Sequence, residues 1–149
     1  MTAPDTPARF ENLPAELTAA LAEQGITTPT PVQHGAIAAL GAPASLYEDL
    51  RTTYAAKRGL LAEGLEDVGF EVYRPDGTYF MMAGHRDFGL GDDRAFCRHL
   101  AETARVVAIP PSVFYHDPTE GAGMVRFAFC KDEETLAEAL ERLSVLRAR

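Results

Sequence analysis

At 149 residues, 46% apolar and 24% charged, the chain suits one compact domain, or a domain plus an appendage. A formal net charge of −8 favours solubility and argues against general nucleic-acid binding, which needs Lys and Arg to neutralise phosphates. No apolar run approaches the ~20 residues that span a bilayer, the first ten residues lack a secretory apolar region, and Cys97 and Cys130 make no disulfide framework, so a cytoplasmic protein is expected.

Residues 1–9 are small, polar and Pro-containing, and read as a disordered leader. Pro14 suits the first turn of a helix with Leu17, Ala20 and Leu21 on its apolar side and Gly25 as its stop. Thr30 can cap, and Pro31 can open, a second short helix ending near Gly41. The run Gly41, Ala42, Pro43, Ala44 reads as a seam. Ser45 with Glu48 fits a capping box for a long helix to about Val68, with Leu46, Leu50, Tyr54, Leu61 and Leu65 at helical spacing and Gly69 closing it. Gly59 and Gly64 weaken that helix.

Residues 70–73 and 78–82 read as short strands about the turn Pro75, Asp76, Gly77. Asp92 can cap a helix to about Ala104. Residues 106–109 form a continuous apolar run, expected as a buried strand, and 124–129 form another. Asp132 opens a last helix with Leu136, Leu140 and Leu143 on one face. Helices and a few strands in this order predict an α+β fold: N-terminal helices, then a small mixed or antiparallel sheet with packing helices.

From about Pro43 to Arg149 the sequence resembles the C-terminal small domain of fold-type I pyridoxal-phosphate aminotransferases, in the branch with kynurenine, methionine and succinyl-diaminopimelate aminotransferases. The likeness rests on several stretches in order. Tyr54, Lys57, Arg58, Leu61 and Leu65 look like the domain-linking helix, and Gly69, Phe70 and Pro75 to Phe80 like the first hairpin. Asp92, Asp93, Phe96 and Cys97 look like the next helix. Residues 106–115 and 125–130 complete the lobe.

Arg126 is the residue with chemistry. A guanidinium between apolar neighbours in a strand should be partly buried and needs a planar anion. The resemblance implies that it grips the substrate's α-carboxylate in a bidentate pair; a structural ion pair with an acid of this chain is the other reading. Pyridoxal phosphate is the cofactor of the resembled family, but its Schiff-base lysine, pyridine-nitrogen acid and phosphate cradle come from a large domain that precedes this segment. Lys57 and Lys131 match neither that lysine nor its place, so this chain alone is expected to bind no cofactor and to have no catalytic residue.

Residues 10–41 resemble the Q motif of DEAD-box RNA helicases, carried by Phe10, Gly25, Ile26, Pro29 to Gln33, Ala36 and Ile37. The resemblance implies that Gln33 reads an adenine edge and Phe10 packs against it. The Gly-rich phosphate loop and Mg²⁺ ligands of such enzymes have no counterpart here. Cys97 with His99 lacks a second pair for zinc, His34, His85 and His116 are scattered, and Gly121, Ala122, Gly123 read as a flexible loop. Glu133, Glu134, Glu138 and Glu141 with Arg142 form a solvated face.

The leading expectation is a non-catalytic fusion or truncated protein with three parts, 1–9, 10–41 and 43–149. Its main domain would resemble the carboxylate-binding lobe of an aminotransferase. A carboxylate binder that takes an amino acid or 2-oxo acid and relies on a partner chain for the cofactor lobe is one alternative. An adenine-nucleotide-binding helicase fragment is the other. Excision from a larger enzyme would bare apolar surface, which predicts a homodimer and predicts that the two N-terminal helices cover part of that surface.

Overall fold

The structure is a computed structural model that describes residues 10 and 13–147; the expected leader over 1–9 lies outside them. The chain divides into two units, one ending at Glu48 and one beginning at Asp49.

The first unit holds α1 (Ala15–Glu23) and α2 (Pro31–Leu40). Thr30 caps α2 as its sequence suggests: its hydroxyl accepts from the Gln33 N–H at 3.3 Å. Gln33 completes the box, its side-chain oxygen accepting from the Thr30 N–H at 2.9 Å. The Tyr47 hydroxyl donates to the Ala39 carbonyl. Neither α1 nor α2 has a buried residue, so the apolar side expected of α1 is not a packed one.

The long helix α3 runs Ala44–Val68. It begins before Ser45, because the Pro43 carbonyl already accepts from the Leu46 N–H at 3.0 Å; Ser45 lies inside the first turn and caps nothing. Its end follows the sequence closely. Gly69, at φ +113°, lets its own N–H reach Glu66 and the Phe70 N–H reach the Leu65 carbonyl, the paired bonds of a Schellman stop. Only the last part of α3 is buried, at Leu61, Ala62, Leu65 and Val68, while Leu46 and Leu50 are exposed.

The sheet of the second unit is antiparallel, in the order β1 (Glu71–Tyr73), β2 (Phe80–Gly84), β3 (Met124–Ala128). α4 (Asp93–His99) is capped by Asp92, whose carboxylate accepts from the Ala95 N–H at 2.8 Å, and passes into a π-helical turn over Leu100–Ala104. α5 (Glu133–Leu143) is capped by Asp132, which accepts from the Thr135 N–H at 2.7 Å. Met81, Val125, Phe127 and Phe129 point into one core with Leu65 of α3, Phe96 and Leu100 of the α4 region, and Leu136 and Leu143 of α5. Phe70 ties its aromatic centre, with ring centroids 5.9 Å from Phe96 and 5.6 Å from Phe127. The alternate residues Phe80, Met82, Arg126 and Ala128 occupy the opposite sheet face. This is the expected α+β fold.

One strand expectation is corrected. Residues 106–109 are extended but join the sheet only at Ile109, which bridges Arg126. Their burial alternates: Val106 and Ala108 face the core, while Val107 is 83% exposed. The segment is half-buried rather than buried on both sides, and Pro110 and Pro111 have no N–H with which to extend the pairing.

The two glycines of α3 differ in kind. Gly59 has open space where a Cβ would go, whereas a Cβ at Gly64 would stand 2.4 Å from a Leu140 methyl, so Gly64 is the gap into which α5 packs. Gly59→Ala should therefore raise the stability measured by urea denaturation by up to ~1 kcal/mol. Gly64→Ala should lower it by roughly 1 kcal/mol, because displacing Leu140 outweighs the helix gain.

Candidate functional site

Arg126 is held by its backbone on both sides. Met82 of β2 is its cross-strand partner, and Ile109 exchanges two hydrogen bonds with it, each 3.0 Å long. The period of the strand sends its neighbours Val125 and Phe127 into the core and leaves the Arg126 side chain on the outer face, half-buried. There the guanidinium carbon lies 4.7 Å from the Phe80 ring centroid and 4.9 Å from that of Phe114. Among the described residues no carboxylate pairs with it; Arg74 with Glu66 and Arg142 with Glu138 show what such a pair looks like elsewhere in the unit. The structural ion pair considered from the sequence is therefore not what holds Arg126. Two aromatic faces hold it flat, and its N–H edges are left for an external planar anion.

Phe80 and Phe114 are the partners of Arg126 that sequence reasoning missed. Phe80 was legible as a strand residue two before Met82, but its pairing with Arg126 depends on cross-strand register. Phe114 ends the turn Pro111–Phe114 and is 62% exposed. That turn is anchored by Asp93, a fully buried carboxylate at the start of α4, which accepts from the Ser112 N–H at 2.7 Å. Gly121 lies against the same turn: a Cβ there would be 2.6 Å from the Ser112 nitrogen. The segment Gly121, Ala122, Gly123 is thus a packed loop rather than a flexible one. Its glycines serve close approach, Gly121 to Ser112 and Gly123 to the Arg86 side chain.

His85 is also buried, 1% exposed, and lies stacked on Phe96 at 4.3 Å. Its Nε2 lies 3.2 Å from the Ala122 carbonyl and its Nδ1 has no partner. Burial pushes its pKa below the usual value; the Ala122 contact and the Asp93 charge oppose this, and Arg86 adds to it. Cys97, half-buried on the core side of α4, has its thiol pushed up to about 11 by burial and the Asp93 charge, which fits packing rather than reactivity.

Gln33 is exposed, and its amide oxygen serves the Thr30 cap. Phe10, in the first unit, is buried. Lys57 lies over the Tyr54 ring at 5.9 Å, and Lys131 is exposed before α5. Neither lysine is buried, so neither fits the enclosed lysine that pyridoxal phosphate needs. Among the described residues no cluster of three or more His, Cys, Asp or Glu could hold a metal, and no helix is long and apolar enough to cross a membrane.

Comparison with known proteins gives one consistent result. The family described as aminotransferase class I and II matches residues 15–143. A probable N-succinyldiaminopimelate aminotransferase of Mycobacterium tuberculosis is 44% identical over 109 residues, 67% of this chain and 27% of that protein. The methionine aminotransferase of Escherichia coli is 36% identical over 117 residues, 78% of this chain and 30% of that protein. The solved N-succinyldiaminopimelate aminotransferase of Mycobacterium tuberculosis superposes with a TM-score of 0.71 and 39% identity, over 89% of this chain and 36% of that one. The chain thus spans about a third or less of the length of these relatives. The family match begins at residue 15 and runs through 41–43 without a break, so α1 and α2 fall in the same match as the lobe. Neither a seam between two families nor the helicase likeness gains support from it.

His85 gives a pH prediction. Unfolded, its imidazole takes a proton below about pH 6.5; folded, it does so only at lower pH, because charging it would bury an imidazolium with an unpaired Nδ1. The unfolded chain binds more protons in that window, so stability is full above about pH 6.5 and falls as pH drops toward the folded value. Urea midpoints measured from pH 7.5 downward should show this fall, and His85→Gln should flatten it.

Proposed function

The chain belongs to the class I and II aminotransferase family, and on that premise we propose that its second unit is the part that grips the carboxylate of an amino acid or 2-oxo acid, with Arg126 as the gripping residue. The observation that carries this reading is the guanidinium held between Phe80 and Phe114 with no acid among the described residues to neutralise it. A carboxylate meeting its edge would accept two parallel N–H bonds, which fixes both the position and the plane of the ligand. The aromatic faces lower local polarity beside the pair and restrict the rotamers that Arg126 would otherwise lose on binding. Asp93, Ser112 and Gly121 act at one remove, by holding the turn that presents Phe114.

The family's chemistry uses pyridoxal phosphate, and the lysines of this chain do not fit that group. The reading is therefore of a recognition lobe that does not complete transamination by itself. The rest of a longer chain, or a partner chain, would supply the cofactor lobe, and pairing of two copies belongs to the same reading. Gln33 receives no nucleotide-binding role, since helix capping already occupies its acceptor.

The test combines binding and turnover. 2-Oxoglutarate titrated into the full chain should shift the backbone amide resonances of Ile109, Arg126 and Phe114. Saturation should come in the millimolar range or weaker, as one partly exposed charge pair warrants. Arg126→Leu should abolish the shifts, and Phe114→Ala should weaken binding by roughly threefold to tenfold, the loss of one cation–π face. Mixed with pyridoxal phosphate, an amino acid and an oxo acid, the chain should give no conversion above the cofactor alone. Unchanged shifts in Arg126→Leu would sink the assignment of the site, and conversion would sink the reading of an incomplete enzyme.

A further inference from the structure

Among the described residues the buried polar or charged side chains are His85, Asp93 and Ser112. They come from three places in the chain, the residue after β2, the start of α4 and the turn Pro111–Phe114, and they form one group. The Asp93 carboxylate accepts from the Ser112 N–H, and its charge acts on His85. The loop 121–123 closes the group. The Gly123 carbonyl accepts from the His85 N–H at 3.1 Å, the Ala122 carbonyl faces His85 Nε2, and Gly121 presses on Ser112. A carbonyl only accepts, so Nε2 carries the proton of the neutral ring and the unpartnered Nδ1 is a bare lone pair. The Ser112 hydroxyl is unpartnered as well. Two unsatisfied polar atoms in one buried group make a weak point in the core.

This weak point lies under the ring that faces Arg126, because Phe114 ends the turn that Asp93 anchors. We infer that His85 is a positioning residue for the Arg126 site: its neutral ring leaves Asp93 to hold Ser112, and its protonated ring draws Asp93 away, so that the turn releases Phe114 from the guanidinium. Protonation gives Nδ1 a hydrogen with no acceptor and sets a cation in the field of Asp93. A carboxylate bonds more strongly to an imidazolium, where both partners are charged, than to a neutral backbone N–H. The charges that bear on His85 are Asp93 of α4, which favours its protonation, and Arg86 beside it in the chain, which opposes it. Phe96 and the loop contribute a ring face and carbonyls. Cys97, which also feels Asp93, keeps its proton throughout, its thiol being pushed up to about 11. An open cavity of about 430 Å³, lined by Asp93, Ser112, Thr119 and Ala122 among others, borders the group and gives the turn room to shift. Burial holds the His85 midpoint below the ordinary histidine value, so the release comes with acid below that value.

The effect on binding rests on the carboxylate role proposed for Arg126, so the test reads the turn with and without ligand. NMR of the full chain, titrated from pH 7.5 down to acid unfolding, follows the His85 ring with the amides of Ser112, Phe114 and Phe127. Without ligand, the Ser112 and Phe114 amides should move with the His85 midpoint while Phe127, in the core, stays in place. Asp93→Asn keeps an oxygen for the Ser112 N–H and removes the charge, so it should carry the His85 and Phe114 midpoints together to lower pH. His85→Gln keeps a donor for the Ala122 carbonyl and cannot charge, so it should abolish the Phe114 titration. Pyruvate, whose carboxyl stays ionised over this range, should bind about tenfold more weakly one pH unit below the His85 midpoint, where roughly a tenth of the molecules keep a neutral ring. By reciprocity, saturating pyruvate should lower the His85 midpoint. The inference is overturned by a Phe114 amide that ignores His85, by midpoints that separate in Asp93→Asn, or by pyruvate affinity that does not change with pH. A His85 ring that stays neutral until the Phe127 amide is lost would also overturn it. If Phe114 follows His85 and pyruvate does not bind at pH 7.5, the coupling of His85 to the turn stands and the carboxylate role of Arg126 falls.

Discussion

The register of β3 is the constraint on which both faces of the second unit depend. A strand alternates its side chains, so Val125, Phe127 and Phe129 can enter the core only if Arg126 leaves it. A slip by one residue would exchange the two sets and carry an unpaired guanidinium into an apolar interior, which costs several kcal/mol. Three pairings prevent it. Met82 lies opposite Arg126 on β2, Ile109 bonds it twice from the other side, and the Phe129 N–H donates to the Tyr79 carbonyl at 2.8 Å. The same pairings that seat the core phenylalanines therefore aim Arg126 outward.

Register places the cation, but only one of its two aromatic neighbours comes from the sheet. The other, Phe114, stands on a turn outside the sheet that packs against both β3 and α4. The α4 side of that support is built in steps. Asp92 caps that helix, which brings the next residue, Asp93, into the interior, where its carboxylate takes the Ser112 N–H. A buried carboxylate needs such a donor, and a buried backbone N–H needs such an acceptor, so each group settles the other's cost of burial. Gly121 then allows the following loop to press onto the same turn. A helix cap, a buried acid and a close glycine contact thus act in series on the position of one exposed ring.

Local chemistry was legible in the sequence wherever it is carried by neighbours in the chain. The caps at Thr30, Asp92 and Asp132, the stop at Gly69 and the amphipathic α5 all follow from short-range pattern, and the structure keeps them. What depended on distant partners was not legible. Residues 106–109 have the composition of a buried strand, but their neighbours leave one side open and two prolines end the pairing. Gly64 looks like a flaw in a helix until Leu140 is seen to occupy its missing side chain. The pattern around Arg126 marked it as the residue with chemistry, yet its aromatic partners, 46 and 12 positions upstream, follow from tertiary structure alone. Around Gln33 the sequence pattern was real, but it served the helix that contains it, as a capping box.

The choice of rings rather than an acid to hold Arg126 has a consequence for binding. A guanidinium already paired with a carboxylate of its own chain would have to surrender that pair before accepting another, so the exchange would yield little. Aromatic faces engage the cation through its plane and leave its edge alone. The attraction they provide is weaker than a buried ion pair, yet it constrains the same degrees of freedom: the tilt of the plane and the rotamer that carries it. Orientation is thereby settled before any ligand arrives, and the N–H donors stay available. Such a site needs only a fixed strand and two fixed rings, all of which this unit builds from its own core. Bond-making at a cofactor needs groups to converge from more than one lobe, whereas the carboxylate grip proposed for Arg126 needs only this one, in a chain spanning about a third or less of the length of its relatives.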